Sequence, residues 1–522
     1  MRLFLDYQRL ERELNLSWWQ AATTGDAAAY ARHELLANQI DELFLDQAVF
    51  AEVSERRSAR DPDPITARED DLLYRLCWPR QVERGLLVRM NQLSTQVEQS
   101  FATYRPRLCG REVSTNDVDH VLKNATDGGE LEAAWRASKA VGACVAGPLL
   151  ELVELRNVAA RSLGASNYHA LQLALNEQDE AEILALFTRL EALTREPFRV
   201  VKAELDERLA ERCRVRTVDL RPWHYQNPFF QEAPDVFDVN LDAAFAQHDV
   251  AALAARYYQS IGLDPEPILA RSDLFERDGK NPHAFAIHID RQGDARVLLN
   301  VRPTQRWMDT MLHELGHALY DVEIDAGLPF LLRSPAHTLT TEGIAMMMGR
   351  QAYTVAWLSE RALAPAGRAA ACDAKLRTQE LVFCRWAIVM LHFERELYRD
   401  PTQNLNELWW QLVARYQLLE PPAQQDEPAW AAKIHLVSSP VYYHNYMMGA
   451  LFARRWHAAI ARHLGVAPQH FSYTGCQQVG EFLIDAVFRP GARQHYDDLT
   501  RHATGSPLTA DAFAAEFVAE VR

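Results

Sequence analysis

The residues best suited to chemistry are His313-Glu314-Leu315-Gly316-His317. Histidines four apart lie on one face of a helix, so both imidazoles reach a single ion, and Glu314 points near enough to the same place to hold a water there. The flanks predict that helix. Pro303 fixes a helix-compatible entry, Thr304 can cap it, and Trp307, Met308, Met311, Leu312, Leu315 and Leu319 follow at helical spacing before Gly327 and Pro329 stop it. A catalytic zinc usually takes three protein ligands and keeps one position open. Glu342, on the next strong helix, which opens around Thr338 to Thr341, is the natural third ligand. An acidic residue in a first turn also serves as a partner of the helix dipole, but two imidazoles alone leave a zinc incomplete. Asp309, one turn before His313, is either the group that orients that ligand's second nitrogen or an exposed helix aspartate.

A single zinc held this way lowers the pKa of its water toward about 7 and polarises a carbonyl, while Glu314 takes the water's proton and passes it to a leaving amine. The chemistry is peptide or amide hydrolysis. Its developing oxyanion needs a further donor. The segment from Lys433 through His435, Tyr442, Tyr443, His444 and Asn445 to Tyr446 is dense in such groups, and it reads equally well as an aromatic core turn.

Most of the chain that must position these groups reads as helix. Asp46 to Arg56, Asp71 to Tyr104, Glu130 to Leu163, Glu180 to Arg212 and Leu241 to Ile261 carry apolar residues at three-and-four spacing. One segment breaks the pattern: His283 to Ile289 and Ala295 to Asn300 are extended, with Asp290 to Asp294 between them as a hairpin loop. It reads as a packing hairpin or as an edge strand that takes an extended peptide beside the metal. Gly and Pro collect only in short connectors such as Asp61 to Pro64 and Pro421-Pro422, so no domain linker or internal repeat is evident.

Composition narrows the partners. The 522 residues are 48% hydrophobic and 24% charged, as in an ordinary globular protein, and the net charge of -16 repels nucleic acid and anionic membrane. No run is long and apolar enough to span a membrane, and the apolar start is broken at once by Asp6, Arg9 and Glu11, which is no secretory signal. Seven scattered cysteines without a Cys-x-x-Cys pair suggest neither disulfides nor a thiolate site, and a cytoplasmic setting is expected.

Beyond these motifs the sequence resembles the angiotensin-converting enzyme family of peptidyl-dipeptidases. Asn15-Leu-Ser-Trp-Trp19 looks like its N-terminal helices, Leu131 to Trp135 and Leu155 to Ala160 like the helical region that follows, and Gly480 to Pro507 like its C-terminal end. The resemblance implies a mostly α, two-lobed zinc metallopeptidase with a deep central cleft and a small β-hairpin at the active site. Residues 1-522 would form a single catalytic unit, with the N-terminal helices as a lid. It implies one Zn2+ per chain and removal of dipeptides from the C-termini of short peptides, with no nucleic acid and no membrane as partner.

Roles follow residue by residue. His283 and the backbone at Ala284 are similar to the family's substrate strand; Gln231, Lys433 and Tyr443 look like the cluster that binds the substrate's terminal carboxylate; His435 occupies the place of a histidine on the substrate backbone. Such a cluster counts a fixed distance back to the metal, which releases dipeptides. The family's oxyanion-stabilising tyrosine is Tyr446 if one residue is inserted near Pro440, and Asn445 otherwise; the hydroxyl the chemistry needs selects Tyr446. The family's chloride-binding arginine is replaced by His444 or Asn445, and Met346 stands where the family has an aspartate. A related metallocarboxypeptidase or oligopeptidase shares the first motif, and a catalytically weak peptide-binding protein is the alternative from another class.

Overall fold

The computed structural model describes residues 2–518 apart from 238, 240, 282, 362, 364–366 and 469–470. Helix dominates, as the periodicity predicts, and the described strands are two short antiparallel pairs. The elements used below are, in chain order, α1 (Arg2–Thr24), α2 (Ala27–Leu45), β1 (Arg107–Leu108), β2 (Arg111–Glu112), α3 (Val141–Ser162), α4 (Glu180–Cys213), β3 (Phe285–His288), β4 (Ala295–Leu298), α5 (Gln305–Glu323), α6 (Thr338–Gly349), α7 (Ala369–Arg399), α8 (Leu405–Gln417) and α9 (Tyr443–His463).

The chain forms two compact units. One comprises Met1–Gln81, Val239–Asp373 and Met448–Phe513, the other Val82–Asp238, Ala374–Met447 and Ala514–Arg522. Two of the boundaries, after Asp373 and after Met447, fall inside α7 and α9. No Pro/Gly-rich linker marks them because helix runs through them.

In the first unit, α1 and α2 fold back on each other through Gly25, whose φ of 71° is left-handed; a Cβ there would stand 2.6 Å from the carbonyl oxygen of Gly279. Tyr7, Leu10, Leu36, Ile40 and Phe44 bury their side chains with Val53, Leu73, Cys77 and Leu331 in one apolar cluster. α5 begins where expected, with Thr304 Oγ1 accepting from Trp307 N–H, and it buries Met308, Met311, Leu312, Leu315 and Leu319 completely. β3 and β4 pair from Phe285↔Leu298 to His288↔Ala295, inside the predicted hairpin.

In the second unit, aromatic rings fill the core. Trp386 on α7 meets Trp409 on α8 and Tyr443 at the start of α9, with ring centroids 5.9 and 5.7 Å apart. Phe393 stands edge-on to Trp409 at 5.0 Å.

Three predicted helices are shorter or divided. The stretch from Asp71 to Tyr104 ends at Cys77, turns through Trp78–Arg80 and restarts at Arg84, because Pro79 breaks the ladder and the Glu83 carboxylate caps Gly85 and Leu86 N–H. The stretch from Glu130 to Leu163 divides at Ala140, where α3 begins; Gly142 there packs so close that a Cβ would lie 2.5 Å from the Pro428 carbonyl oxygen. From Leu241 to Ile261, two helices (Asp242–Phe245 and Val250–Ser260) replace one, since Asp249 caps the second. No helix among the described residues is long and apolar enough to cross a membrane.

Candidate active site

α5 carries both histidines on one face, and α6 supplies Glu342. The two helices approach closely because the motif's own glycine lets them: a Cβ on Gly316 would stand 3.1 Å from Ala345 Cα. α6 starts with an unexpected cap, since His337 accepts Leu339 N–H on Nδ1 at 3.0 Å while Thr340 Oγ1 donates to the His337 carbonyl. That start puts Thr341 at the end of the first turn and Glu342 directly after it, both facing α5.

The donor atoms converge. His313 Nε2 lies 3.2 Å from His317 Nε2, and the two lie 3.7 and 3.9 Å from Glu342 Oε2. Ligand atoms about 2.0–2.1 Å from a tetrahedral zinc stand roughly 3.3 Å apart, so this donor set fits a zinc ion. No other group of three His, Cys, Asp or Glu side chains among the described residues converges this way.

Burial suits the imidazoles to that role. Loss of water around His313 lowers its pKa to about 4, and His317 is pushed well below its ordinary value by burial and by His313 beside it. Both rings are therefore neutral near pH 7 and carry a lone pair for a metal. His317 Nδ1 meets Thr341 Oγ1 at 2.6 Å, which fixes the ring and turns Nε2 toward the donor set.

Glu314 is 9% exposed, and burial, with Glu342 nearby, raises its pKa to about 8 against the opposing pull of the Ala286 N–H. Asp309 lies one turn away but does not bond to His313. It accepts from the Tyr353 hydroxyl at 3.4 Å and packs against Gly349, and burial lifts its pKa to about 6. Met346 has its sulfur 3.2 Å from where a Cβ on Gly449 would be, so this position is used for packing. At the hairpin, His283 is exposed, its N–H bonded to Asn281 Oδ1 at 2.9 Å, and Ala284 is half-buried.

The second unit brings together the residues expected to hold a carboxylate. Lys433 Nζ donates to Gln231 Oε1 at 2.6 Å and stands 5.2–5.3 Å over the rings of Phe229, Trp386 and Tyr443. It is 6% exposed, and no carboxylate among the described residues lies within ion-pair distance. Burial lowers its pKa to about 7, against the pull of Glu232. His435 packs tilted against Tyr443, ring centroids 5.0 Å apart, and burial and Lys433 lower its pKa to about 4.

On the first turn of α9, Tyr446 is half-buried between Tyr442 and Tyr443, at 5.0 and 5.5 Å. Asn445 is 1% exposed, its Oδ1 accepting from Gln178 Nε2 at 2.6 Å, and His444 Nε2 meets Gln178 Oε1 at 2.8 Å. Sequence reasoning singled out His313, His317, Glu342 and Glu314, and separately Lys433, Gln231 and Tyr443. It missed Thr341, the His337 cap and Gln178; a hydroxyl next to a ligand was the available signal for the first, and nothing local marks the last.

Comparison with known proteins decides the family. The family model described as Angiotensin-converting enzyme matches residues 80–517, which leaves α1 and α2 outside the match. The chain belongs to the angiotensin-converting enzyme family. It is similar to the angiotensin-converting enzyme of Bos taurus, 24% identical over 289 residues that cover 52% of this chain and 22% of that protein. The protein of that name from Rattus norvegicus is 25% identical over 269 residues, 49% of this chain and 20% of the relative. That from Haematobia irritans exigua is 24% identical over 324 residues, 56% of this chain and 51% of the relative. The chain thus spans about a fifth of the mammalian relatives and about half of the insect one.

Proposed function

We propose that the protein is a zinc-dependent peptidase that releases dipeptides from the C-termini of short peptides, the whole chain working as one catalytic body. The observation that carries the reading is the convergence of His313, His317 and Glu342 donor atoms within 3.2–3.9 Å, with Glu314 adjacent in sequence to the first of them. Zinc, when bound, supplies Lewis-acid polarisation of the scissile carbonyl and acidifies the attacking water. Glu314 is the proton carrier: buried and next in sequence to His313, its carboxylate takes the water's proton and returns it to the departing nitrogen. Tyr446 is the oxyanion donor, since Asn445 is buried against Gln178 and offers no hydroxyl.

The exopeptidase mode rests on Lys433. A buried ammonium without a carboxylate partner is costly, and a substrate's free C-terminus relieves that cost. Gln231 and Tyr443 complete the carboxylate site, with His435, His283 and the Ala284 backbone on the substrate chain. The seven unpaired cysteines favour the cytoplasm as its compartment, and recovery of the native protein mainly outside the cell contradicts that.

The test is metal content with activity. One zinc per chain, and hydrolysis of a short peptide lost on chelation, restored by zinc and absent in Glu314→Gln, is the expected result. Substoichiometric zinc with chelator-insensitive or absent hydrolysis overturns it in favour of a peptide-binding protein.

A further inference from the structure

The hairpin next to α5 has one edge closed by β4, and its ladder decides which groups face outward on the other. Ile289 N–H donates to the Asp294 carbonyl at 2.8 Å, and with the register Ile287↔Arg296 the alternation of an antiparallel pair turns Ala286 and His288 away from β4. Two further contacts agree. The Ala286 N–H faces Glu314, and the His288 carbonyl accepts from Asn15 Nδ2 at 3.1 Å.

Asn15 comes from α1. Its side-chain amide also reaches the Ile289 carbonyl at 3.3 Å. α1 is held in that register over the hairpin by Trp18 and Trp19, whose rings stand 6.0 and 6.3 Å from Phe285, and by Asn281 N–H donating to the Ala22 carbonyl at 2.8 Å. No side chain among the described residues donates to the Ala286 carbonyl. The outer edge of β3 is therefore open at the Ala286 carbonyl, with the Ala286 N–H turned to Glu314, and shut two residues later.

We infer that Asn15 sets how far a substrate pairs along β3 and so is a specificity-determining residue; the inference rests on the peptidase reading above. An extended peptide added to a sheet edge bonds through alternate residues. With Glu314 beside the Ala286 N–H, the residue that contributes the scissile carbonyl faces Ala286. In an antiparallel addition the third residue before the cut then faces His288, whose carbonyl Asn15 already occupies. Backbone pairing stops short of that residue, and longer peptides gain nothing more from the strand.

The experiment measures kcat/KM for peptides with one fixed C-terminal tripeptide, which contains the scissile bond, extended toward the N-terminus by one to five residues. The wild-type protein is compared with Asn15→Ala and Asn15→Leu. For the wild type, the value levels off once two residues precede the cut. In both variants, a third residue before the cut raises it about three- to tenfold, the worth of one hydrogen bond, and N-methylation of that residue removes the gain. A variant that only loosens α1 lowers every length alike, so an unchanged ratio of long to short peptides overturns the inference while leaving the peptidase reading intact. Failure of the wild type to cleave any member of the series overturns both.

Discussion

His317 Nδ1 lies 2.6 Å from Thr341 Oγ1, the residue directly before the third candidate ligand. One turn of α6 thus supplies both a donor atom and the group that aims another. Partners that aim a ligand imidazole typically contribute 10–100-fold to metal affinity. Thr341→Val should weaken zinc binding by about that factor in competition with a chelator, while Thr341→Ser retains it and the thermal midpoint of the metal-free protein moves little.

Lys433 gives a pH signature. Its pKa is lowered to about 7 from the usual lysine range, so it is charged below that pH and mostly neutral above it. A bound carboxylate favours the charged form and raises that pKa, so binding above pH 7 takes up a proton. For peptides with a free C-terminus, KM should rise as pH increases through about 7, and amidated peptides should show no such dependence. Lys433→Met should raise KM for free peptides by about 10–1,000-fold, in keeping with loss of a charge-assisted contact in a buried site.

Tyr446 and Asn445 separate by the kind of loss they cause. Tyr446→Phe should lower kcat about 100- to 1,000-fold with KM little changed, as for removal of one oxyanion donor. Asn445→Ala leaves Gln178 without its 2.6 Å partner and should instead lower thermal stability. With His444 or Asn445 at the place that the resemblance gives to the family's chloride-binding arginine, replacing chloride by acetate should change kcat/KM less than twofold.

The turn before these tyrosines is strained and held. Val441 has a φ of 58°, a conformation unfavourable for a β-branched residue, and its N–H donates to Glu394 Oε1 at 2.6 Å. Arg156 NH1 and NH2 meanwhile bind the Leu436 and Val437 carbonyls at 3.0 and 2.8 Å. Burial raises the Glu394 pKa to about 8, so the folded protein holds a proton that the unfolded chain releases nearer 4.5. Stability from this group is full below about pH 4.5 and falls as pH rises toward 8. Glu394→Gln should keep the contact to Val441 and flatten that part of the thermal midpoint against pH. Glu394→Ala should cost about 1–3 kcal/mol by orphaning the Val441 N–H.

What could be read from sequence follows from the range of each interaction. His313 and His317 were legible because helical spacing puts them on one face, Glu314 because it adjoins His313, and Glu342 because an incomplete ligand set points to the next helix. Lys433, Gln231 and Tyr443 were legible only through the family resemblance, since Gln231 is some two hundred residues from its lysine. The Gln178 contact to Asn445 spans 267 positions and leaves no local pattern. The one-turn spacing of Asp309 left open whether it orients His313 or is an exposed helix aspartate, and it is Tyr353, from another segment, that bonds to it. The division at Ala140 depends on how closely Gly142 packs on Pro428, which periodicity does not record.

The most direct test is mass spectrometry of an unstructured decapeptide incubated with the zinc-loaded protein, beside its C-terminally amidated copy and a Glu314→Gln control. Sequential loss of C-terminal dipeptides, blocked by the amide and by the substitution, is the predicted result. Loss of single residues, internal cuts indifferent to the amide, or no cleavage at all contradicts it.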